Sequence, residues 1–556
     1  MNRAKADIFH GLEHALFFLI SILIAISLFL TVQPGIDIWI PLFQTLLSAS
    51  LLIVSIWYIS EKGSFNWSPS LVIIALLLTW SLISLTFTIH FVNTRRLVYL
   101  QFFYFVIFWA SLQIAGTLHR LKLVKILIFM TLVVCLYGIH QKWIGFPLTL
   151  EAAQGMENSP VGIERIASGR IFSTFRHVNS FSGFLIMLIP ITAYALYLSI
   201  RISEKIGYAL ALIGELLCLY YTQSMGAFLT LAVMIGLTAI FLFIKNRRRL
   251  SATKWATILI TIIFHIGMAL AAINKARPDA IWSLEKGSSL SWRWENWKIG
   301  LSIFKDHLLT GVGAGCYGSI YQKYMTVAAN ETQYAHNLPI QLSAELGVLG
   351  LLLISLLYGW RIYQIRQKVN ESGWTTIFEL SLFGYLIHNL VDFDFYFSSL
   401  SIPAFMLFGL SGAERRQEIA ISPLKKKAIL AGAIAVGFLT IISVFPPVYA
   451  EYQAEQALDR FIAGDESEAY MYQKKAVQTD PKNSLLSADL GNLTIRRDMP
   501  TPVKLGKSIA LYEQAVRFDQ CNPGYHLRLG QLYQAQGDTV LADRYFQSAS
   551  DLSQKN

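Results

Sequence analysis

The sequence predicts an all-α fold: a polytopic membrane bundle of about 12–13 transmembrane helices, followed by a C-terminal α-helical domain. Three observations lead there. Of 556 residues, 54 % are hydrophobic and 15 % charged, against about 25 % charged in soluble domains, and the mean hydropathy is +0.47. Apolar runs close to the roughly 20 residues that cross a bilayer as a helix recur along the chain. Beyond residue 450 the chain turns polar while keeping a helical period.

The expected spans lie near 15–32, 38–59, 70–92, 97–116, 121–141, 180–200, 207–222, 226–244, 255–273, 338–360, 375–391, 398–413 and 428–446. The first is long enough to be a retained helix, and no cleavable signal is evident. Lys and Arg fix the orientation. Arg3 and Lys5, Arg120 and Lys122, Arg201 and Lys205, Lys245 to Arg249, Arg361 and Arg366, and Arg415 to Lys427 all fall on one side if the N-terminus is cytoplasmic. Arg95 and Arg96 fall on the other, where diphosphate or lipid headgroups are their alternative partners. The net charge of +11 is therefore an orientation signal, and no nucleic-acid partner is expected. Four cysteines, Cys135 and Cys218 within apolar runs, form neither a disulfide framework nor a metal spacing.

The expected organisation is residues 1–273 as the first nine spans with an outer loop at 142–179, 274–337 as a second outer loop, 338–446 as the last spans, and 450–556 as an extracytoplasmic domain. In that last segment, Leu529-Gly530, Tyr533, Gly537, Ala542, Phe546 and Ala549 match the tetratricopeptide repeat pattern, and Ala515 and Ala549 stand one period of 34 residues apart. Leu490-Gly491 and the series Gly464, Ala469, Ala476 and Pro481 suggest earlier repeats. Stacked helix pairs of this kind offer a concave face to a protein partner; a folded tail without a ligand is the alternative.

The polar residues concentrate in the two long loops. The second carries Arg293 and Trp297, then Asp306-His307-Leu308-Leu309, Gly311, Gly313 and Gly315. His336-Asn337 then opens a helix carrying Glu345, Gly347 and Gly350. Upstream stands FSTFRHVNSFSGFL (172–185) with Asn179; downstream stands HNLVDFDF (388–395). In this order the motifs resemble the bacterial O-antigen ligase and Wzy polymerase superfamily. The chain departs from the family pattern at Gln223-Ser224-Met225-Gly226, where an arginine is usual at the position of Met225, and at Leu308, where proline is usual. Arg176 and Arg170 are the candidates to replace that arginine.

The resemblance implies transfer of a glycan from undecaprenyl diphosphate to a hydroxyl acceptor at the outer face of a bacterial plasma membrane, by an inverting reaction with no metal and no cofactor. The acceptor is open among a lipid A core, another lipid-linked glycan and a protein. A bicarbonate-type transporter and a non-enzymatic assembly factor are rivals from other classes. The residue types suit the transfer. Arginine forks match phosphate oxygens, and histidine is the usual base for a hydroxyl near neutral pH. His336 is thus the candidate base, with Arg293, Arg176 and Arg170 as diphosphate ligands and Asn337, Glu345, Asn179 and Trp297 in support.

Asn337 suits a helix cap and Pro339 the first turn; the positive end of that helix favours a neutral imidazole at His336. Glu345 lies about 13 Å further along the helix and is expected to pair with a neighbouring helix or an arginine. Each assignment has a plainer rival. His336 could serve only a helix start, and Arg293 could be an interfacial anchor among Trp292, Trp294 and Trp297. His177 and His307 read as loop or interface histidines. Asp392 and Asp394 suggest a structural pairing. Glu215, in an apolar run, suits a packing hydrogen bond or a proton path. The glycines at 311, 313 and 315 lack the Lys-Ser/Thr of a nucleotide loop.

Overall fold

The computed structural model describes residues 3–29, 40–154, 162–175, 177–246, 289–325, 332–368, 373–412, 417–496 and 501–553. Of the described residues, 84 % are helical. In chain order the helices are α1 (Arg3–Phe29), α2 (Ile40–Lys62), α3 (Pro69–Ser84), α4 (Phe91–Ile114), α5 (His119–His140), α6 (Phe146–Ala153), α7 (Ile163–Ala167), α8 (Val178–Leu198), α9 (Ile202–Thr222), α10 (Met225–Asn246), α11 (Ser289–Asp306), α12 (Tyr317–Tyr324), α13 (Leu338–Lys368), α14 (Trp374–His388), α15 (Ser398–Ser411) and α16 (Pro423–Ile462), and then α17 (Glu466–Thr479), α18 (Ser484–Arg496), α19 (Pro502–Phe518), α20 (Pro523–Gln536) and α21 (Thr539–Ser553). Two short strands, Ser64–Trp67 and Gln417–Ala420, pair antiparallel.

Seven of the helices, α1, α2, α4, α5 with its continuation to Ala153, α8, α13 and α16, are long and apolar enough to cross a membrane, and the chain is a multi-pass membrane protein. Every expected span coincides with a helix except 255–273, which lies outside the described residues. Some are too short to cross alone. At 1.5 Å per residue, the 16 residues of α3 and the 14 of α15 reach about 24 and 21 Å, against a core of about 30 Å. Their brevity leaves room for irregular backbone at depth, which is tolerated where protein surrounds it. The loop 389–397 between α14 and α15 is irregular backbone surrounded by protein, with Asp392, Phe393, Asp394 and Phe395 all buried.

The core forms around α8 and α15, which are buried on nearly every side, as expected of helices apolar all round. Gly409 of α15 sits where a Cβ would come within 2.5 Å of the Phe108 carbonyl on α4, a close approach that small residues permit in membrane bundles. Two other local features explain departures from regular spans. The expected loop at 142–179 begins as helix: α5 passes through a π turn at Gln141–Gly145, where Phe146 N–H bonds to the Gln141 carbonyl, and runs on as α6 despite Pro147. Further along, α16 is a single helix of 40 residues containing Pro446 and Pro447. Pro447 has no N–H for the Ser443 carbonyl, and the Tyr99 hydroxyl donates to that carbonyl instead, at 2.7 Å.

α16 therefore leads from the bundle straight into the C-terminal helices, which pack as antiparallel neighbours on Ala488, Leu505, Ile509, Tyr512, Leu529 and Tyr533. The glycines of both Leu-Gly pairs receive aromatic rings: a Cβ on Gly491 would meet Tyr512 at 2.9 Å, and one on Gly530 would meet Phe546 at 2.5 Å. This segment is tied back to the start of α4. Arg95 Nη1 and Nη2 donate to the Asp480 carboxylate at 2.8 and 2.6 Å, Arg96 pairs with Glu451 at 2.6 Å, and Gln520 N–H donates to the Ile89 carbonyl at 2.9 Å. Arg95 and Arg96, which the sequence leaves to diphosphate or lipid headgroups, are thus engaged by carboxylates of the same chain.

Candidate functional site

The glycine-rich stretch after α11 is a packing device. Inside α13 the helix breaks at Gly347, at φ 65° and ψ −157°, a conformation confined almost to glycine. The loop 308–315 fits into that break backbone to backbone. Val312 N–H bonds to the Ala344 carbonyl, Gly313 N–H to the Glu345 carbonyl, and Val348 N–H to the Leu308 carbonyl, at 3.1, 2.9 and 2.8 Å. A Cβ on Gly311 would lie 2.3 Å from the Glu345 carbonyl, and one on Gly347 would lie 2.4 Å from that of Leu309.

Glu345 is the polar hub of the joint. Its carboxylate accepts from Gly315 N–H (2.8 Å), Gln341 Nε2 (2.9 Å), the Tyr396 hydroxyl (2.8 Å) and, more distantly, Tyr317 N–H (3.4 Å). Its partners are neighbouring segments rather than an arginine.

The same joint sets the start of α13. Asn337 caps it: its Oδ1 accepts from Ile340 N–H at 3.0 Å, and its Nδ2 donates to the Leu390 carbonyl at 2.9 Å. Leu338 N–H bonds to the Asn389 carbonyl at 2.8 Å, so the helix start and the 389–397 loop are one unit. His336, just before the cap, has φ 54°, a left-handed conformation costing roughly 1–2 kcal/mol for a residue with a Cβ. Trp297 Nε1 donates to its carbonyl at 3.3 Å, and its ring stands edge-on to Phe393, centroids 4.5 Å apart.

His336, Arg293 and Asp392 converge. His336 Nδ1 lies 3.8 Å from Asp392 Oδ1, the imidazole still 22 % exposed and so reachable by a ligand. Arg293 Nη2 lies 3.6 Å from Asp392 Oδ2, and Arg293 Nε donates to the Val391 carbonyl at 2.9 Å. Burial drives the His336 pKa down to about 4, against the pull of Asp392 and with help from Arg293 and His177. The main cause of a neutral imidazole is thus desolvation, where the sequence suggests the helix dipole. For Asp392, burial works upward, but His336, His388 and Arg293 outweigh it and hold the carboxyl below its ordinary range. Among the described residues, neither His336 Nδ1 nor Asp392 Oδ2 has a hydrogen-bond partner; the pair is close without being joined. The structural pairing expected at Asp392 and Asp394 takes two forms: Asp394 Oδ2 meets His388 Nδ1 at 2.5 Å, while Asp392, equally buried, lies beside His336 and Arg293.

A second arginine lies at the α9–α10 junction. Arg170 Nε donates to the Thr222 carbonyl at 2.8 Å, and its Nη2 reaches Asn179 Oδ1 at 3.4 Å. Ser224 Oγ donates to the same Asn179 oxygen at 3.0 Å. Arg170 therefore stands beside Ser224-Met225, where the resemblance left an arginine missing. A Cβ on Gly226 would meet Val391 at 3.4 Å, which ties this junction to the loop that holds Arg293. Arg176 lies outside the described residues. His177 rings Phe393 and Phe397, at 5.6 and 4.9 Å between centroids, and its charge acts on His336. His177 and Asp392, which read from the sequence as an interface histidine and a structural aspartate, lie within the FSTFRHVNSFSGFL and HNLVDFDF stretches, and membership of those motifs is the signal that points to them.

The site thus lies where α8, α10, α13 and α15 all begin, so several positive helix ends surround it. Fold and site together define a multi-pass helical membrane protein with a cluster of charged residues where several of its helices begin. Residues 208–355 match the Wzy_C family model, described as "O-Antigen ligase". That match takes in Arg293, His336, Asn337 and Glu345, and it supports a membrane glycosyltransferase of the O-antigen ligase and polymerase type acting on glycan or lipid-linked substrates. A search of curated proteins found no match.

Proposed function

We propose that the protein transfers a glycan from undecaprenyl diphosphate to an acceptor hydroxyl at the extracytoplasmic face of a bacterial plasma membrane. The observation that carries this reading is the meeting of His336, Arg293 and Asp392 at the mouth of α13. Arg293 and Arg170 grip the diphosphate, and the N–H groups at the starts of α10 and α13 add positive potential. Asp392 favours the tautomer with the proton on Nδ1 and leaves Nε2 to accept. The acceptor oxygen attacks the anomeric carbon with inversion. Its proton passes to His336 Nε2, the bond from the anomeric carbon to phosphate oxygen breaks, and the electron pair leaves on the diphosphate. No metal takes part in this scheme, because the arginines balance the leaving charge.

The N-terminus is cytoplasmic in this reading, and the C-terminal helices form an extracytoplasmic tetratricopeptide-type domain. Leu-Gly pairs seated on Tyr512 and Phe546 support that assignment. In cells lacking the native gene, His336→Ala is expected to leave the lipid-linked glycan accumulating, with transfer down about 10²–10⁴-fold. Unchanged transfer by a folded His336→Ala protein would refute the catalytic role.

A further inference from the structure

Between the start of α4, helix α12 and the α19–α20 turn lies a cavity of about 630 Å³, within the range of about 300–1,000 Å³ typical of ligand sites. Neither the helix bundle nor the C-terminal segment makes it alone. Its walls include Asn93, Ser319, Gln322, Gln333, Tyr334 and Asn522. A second, more apolar cavity of about 730 Å³ continues from the same rim along the C-terminal helices and shares His90, Asn93, Arg96, Asp519 and Asn522 with the first.

The chemistry of the first cavity is specific. Its charged groups are matched within the protein: Arg96 pairs with Glu451 at 2.6 Å, and His90 Nδ1 lies 3.8 Å from Asp519. Carboxamide and hydroxyl groups line much of the rest, held in place by Asn93 Nδ2 donating to Ser319 Oγ at 3.1 Å and by His90 Nδ1 meeting that oxygen at 3.0 Å. Two tyrosine rings, Tyr334 and Tyr396, close one end. Carboxamides offer donor and acceptor together, and tyrosine offers an apolar face with a polar tip. Leu97, Leu100 and Pro523 add apolar contact to this polar wall, and such a mixed lining suits a polyhydroxylated chain, whose rings carry hydroxyls at their edges and C–H groups on their faces. The position is equally specific. The Tyr334 ring stacks on Phe393 at 4.5 Å, and the Phe393 ring meets the His336 imidazole at 4.5 Å. One aromatic ring thus separates the wall of the cavity from the candidate base.

We propose that this cleft binds the sugar chain of the acceptor, with the C-terminal helices as its roof. The inference deepens the transferase reading and rests on it for the word acceptor; binding itself does not depend on catalysis. The acceptor is then a glycan, free or lipid-linked, whose chain lies in the cleft with its reacting hydroxyl toward His336.

The test is binding by the full-length protein in detergent to an array of neutral oligosaccharides, acidic oligosaccharides and peptides. Neutral oligosaccharides are expected to bind. Ser319→Trp, which fills the cavity, should abolish that binding, and the milder Gln322→Ala should weaken it about tenfold, with thermal melting of both variants close to wild type. His336→Ala should bind as wild type does. Binding of peptides only, no binding of any neutral oligosaccharide, or binding indifferent to both cavity variants would overturn the proposal. If His336→Ala leaves transfer intact while Ser319→Trp abolishes oligosaccharide binding, the catalytic reading fails and the glycan site stands.

Discussion

At the residue scale the proposed transfer turns on an imidazole kept neutral by burial. The His336 pKa of about 4 lies below its free value of 6.5, so the stability this group contributes is full above about pH 6.5 and is lost as pH falls through 4. For catalysis the same shift places loss of the base near pH 4. The acid limb of a kcat/KM profile is therefore expected near 4, and a limb near 6.5 would mean that another group titrates. Asp392→Asn removes the carboxylate whose charge raises the basicity of the ring. We expect kcat to fall by about 10²-fold while KM for the lipid donor changes little. Arg170→Ala should do the reverse, raising donor KM, because its guanidinium sits by Ser224 rather than by the imidazole. Glu345, by contrast, is occupied by four donors and serves the joint.

At the element scale, broken helices are what hold the site. α13 is interrupted at Gly347 so that the 308–315 loop can bond to its exposed backbone, and α14 and α15 stop short so that the 389–397 loop can lie at depth. Gly347→Ala combines a forbidden backbone region with a 2.4 Å approach to the Leu309 carbonyl. It is expected to cost at least about 1–3 kcal/mol, read as a lowered melting temperature in detergent together with lost transfer. Tyr99→Phe strands the Ser443 carbonyl beside Pro447 and should cost about 1 kcal/mol, with faster amide exchange confined to the middle of α16. The π turn after α5 and the double proline in α16 follow one rule: in lipid, a backbone group that loses its helical partner must find another.

At the scale of the whole molecule, the C-terminal helices are docked through buried charge. The Arg95–Asp480 pair is bidentate and only 11 % and 6 % exposed. Removing one member leaves a buried charge without its partner, at about 3–5 kcal/mol. Arg95→Ala is therefore expected to loosen residues 466–553 from the bundle, seen as faster proteolysis in that segment and, through the shared cleft, weaker glycan binding. An unchanged proteolysis pattern would show that the remaining ties, α16 and the contact of Gln520 with Ile89, hold the domain in place without this pair.

Much of this architecture was legible in the chain. The apolar runs marked their helices because each span in lipid must satisfy its own backbone; the Leu-Gly and aromatic spacings marked the C-terminal hairpins; and the order of Arg293, the glycine series, His336-Asn337 and Glu345 marked the site. Those signals are local, set by period and residue type. What only the tertiary structure decided is which of them meet. Asp392 and His177 look like ordinary loop residues until the 389–397 loop folds against the start of α13. Arg95 and Arg96 look like membrane-surface cations until Asp480 and Glu451, hundreds of residues away, arrive beside them. The glycines read as a loop motif until α13 breaks to receive them. Pairing across such separations depends on which helices pack together, and packing is a property of shapes in space that no stretch of sequence carries by itself.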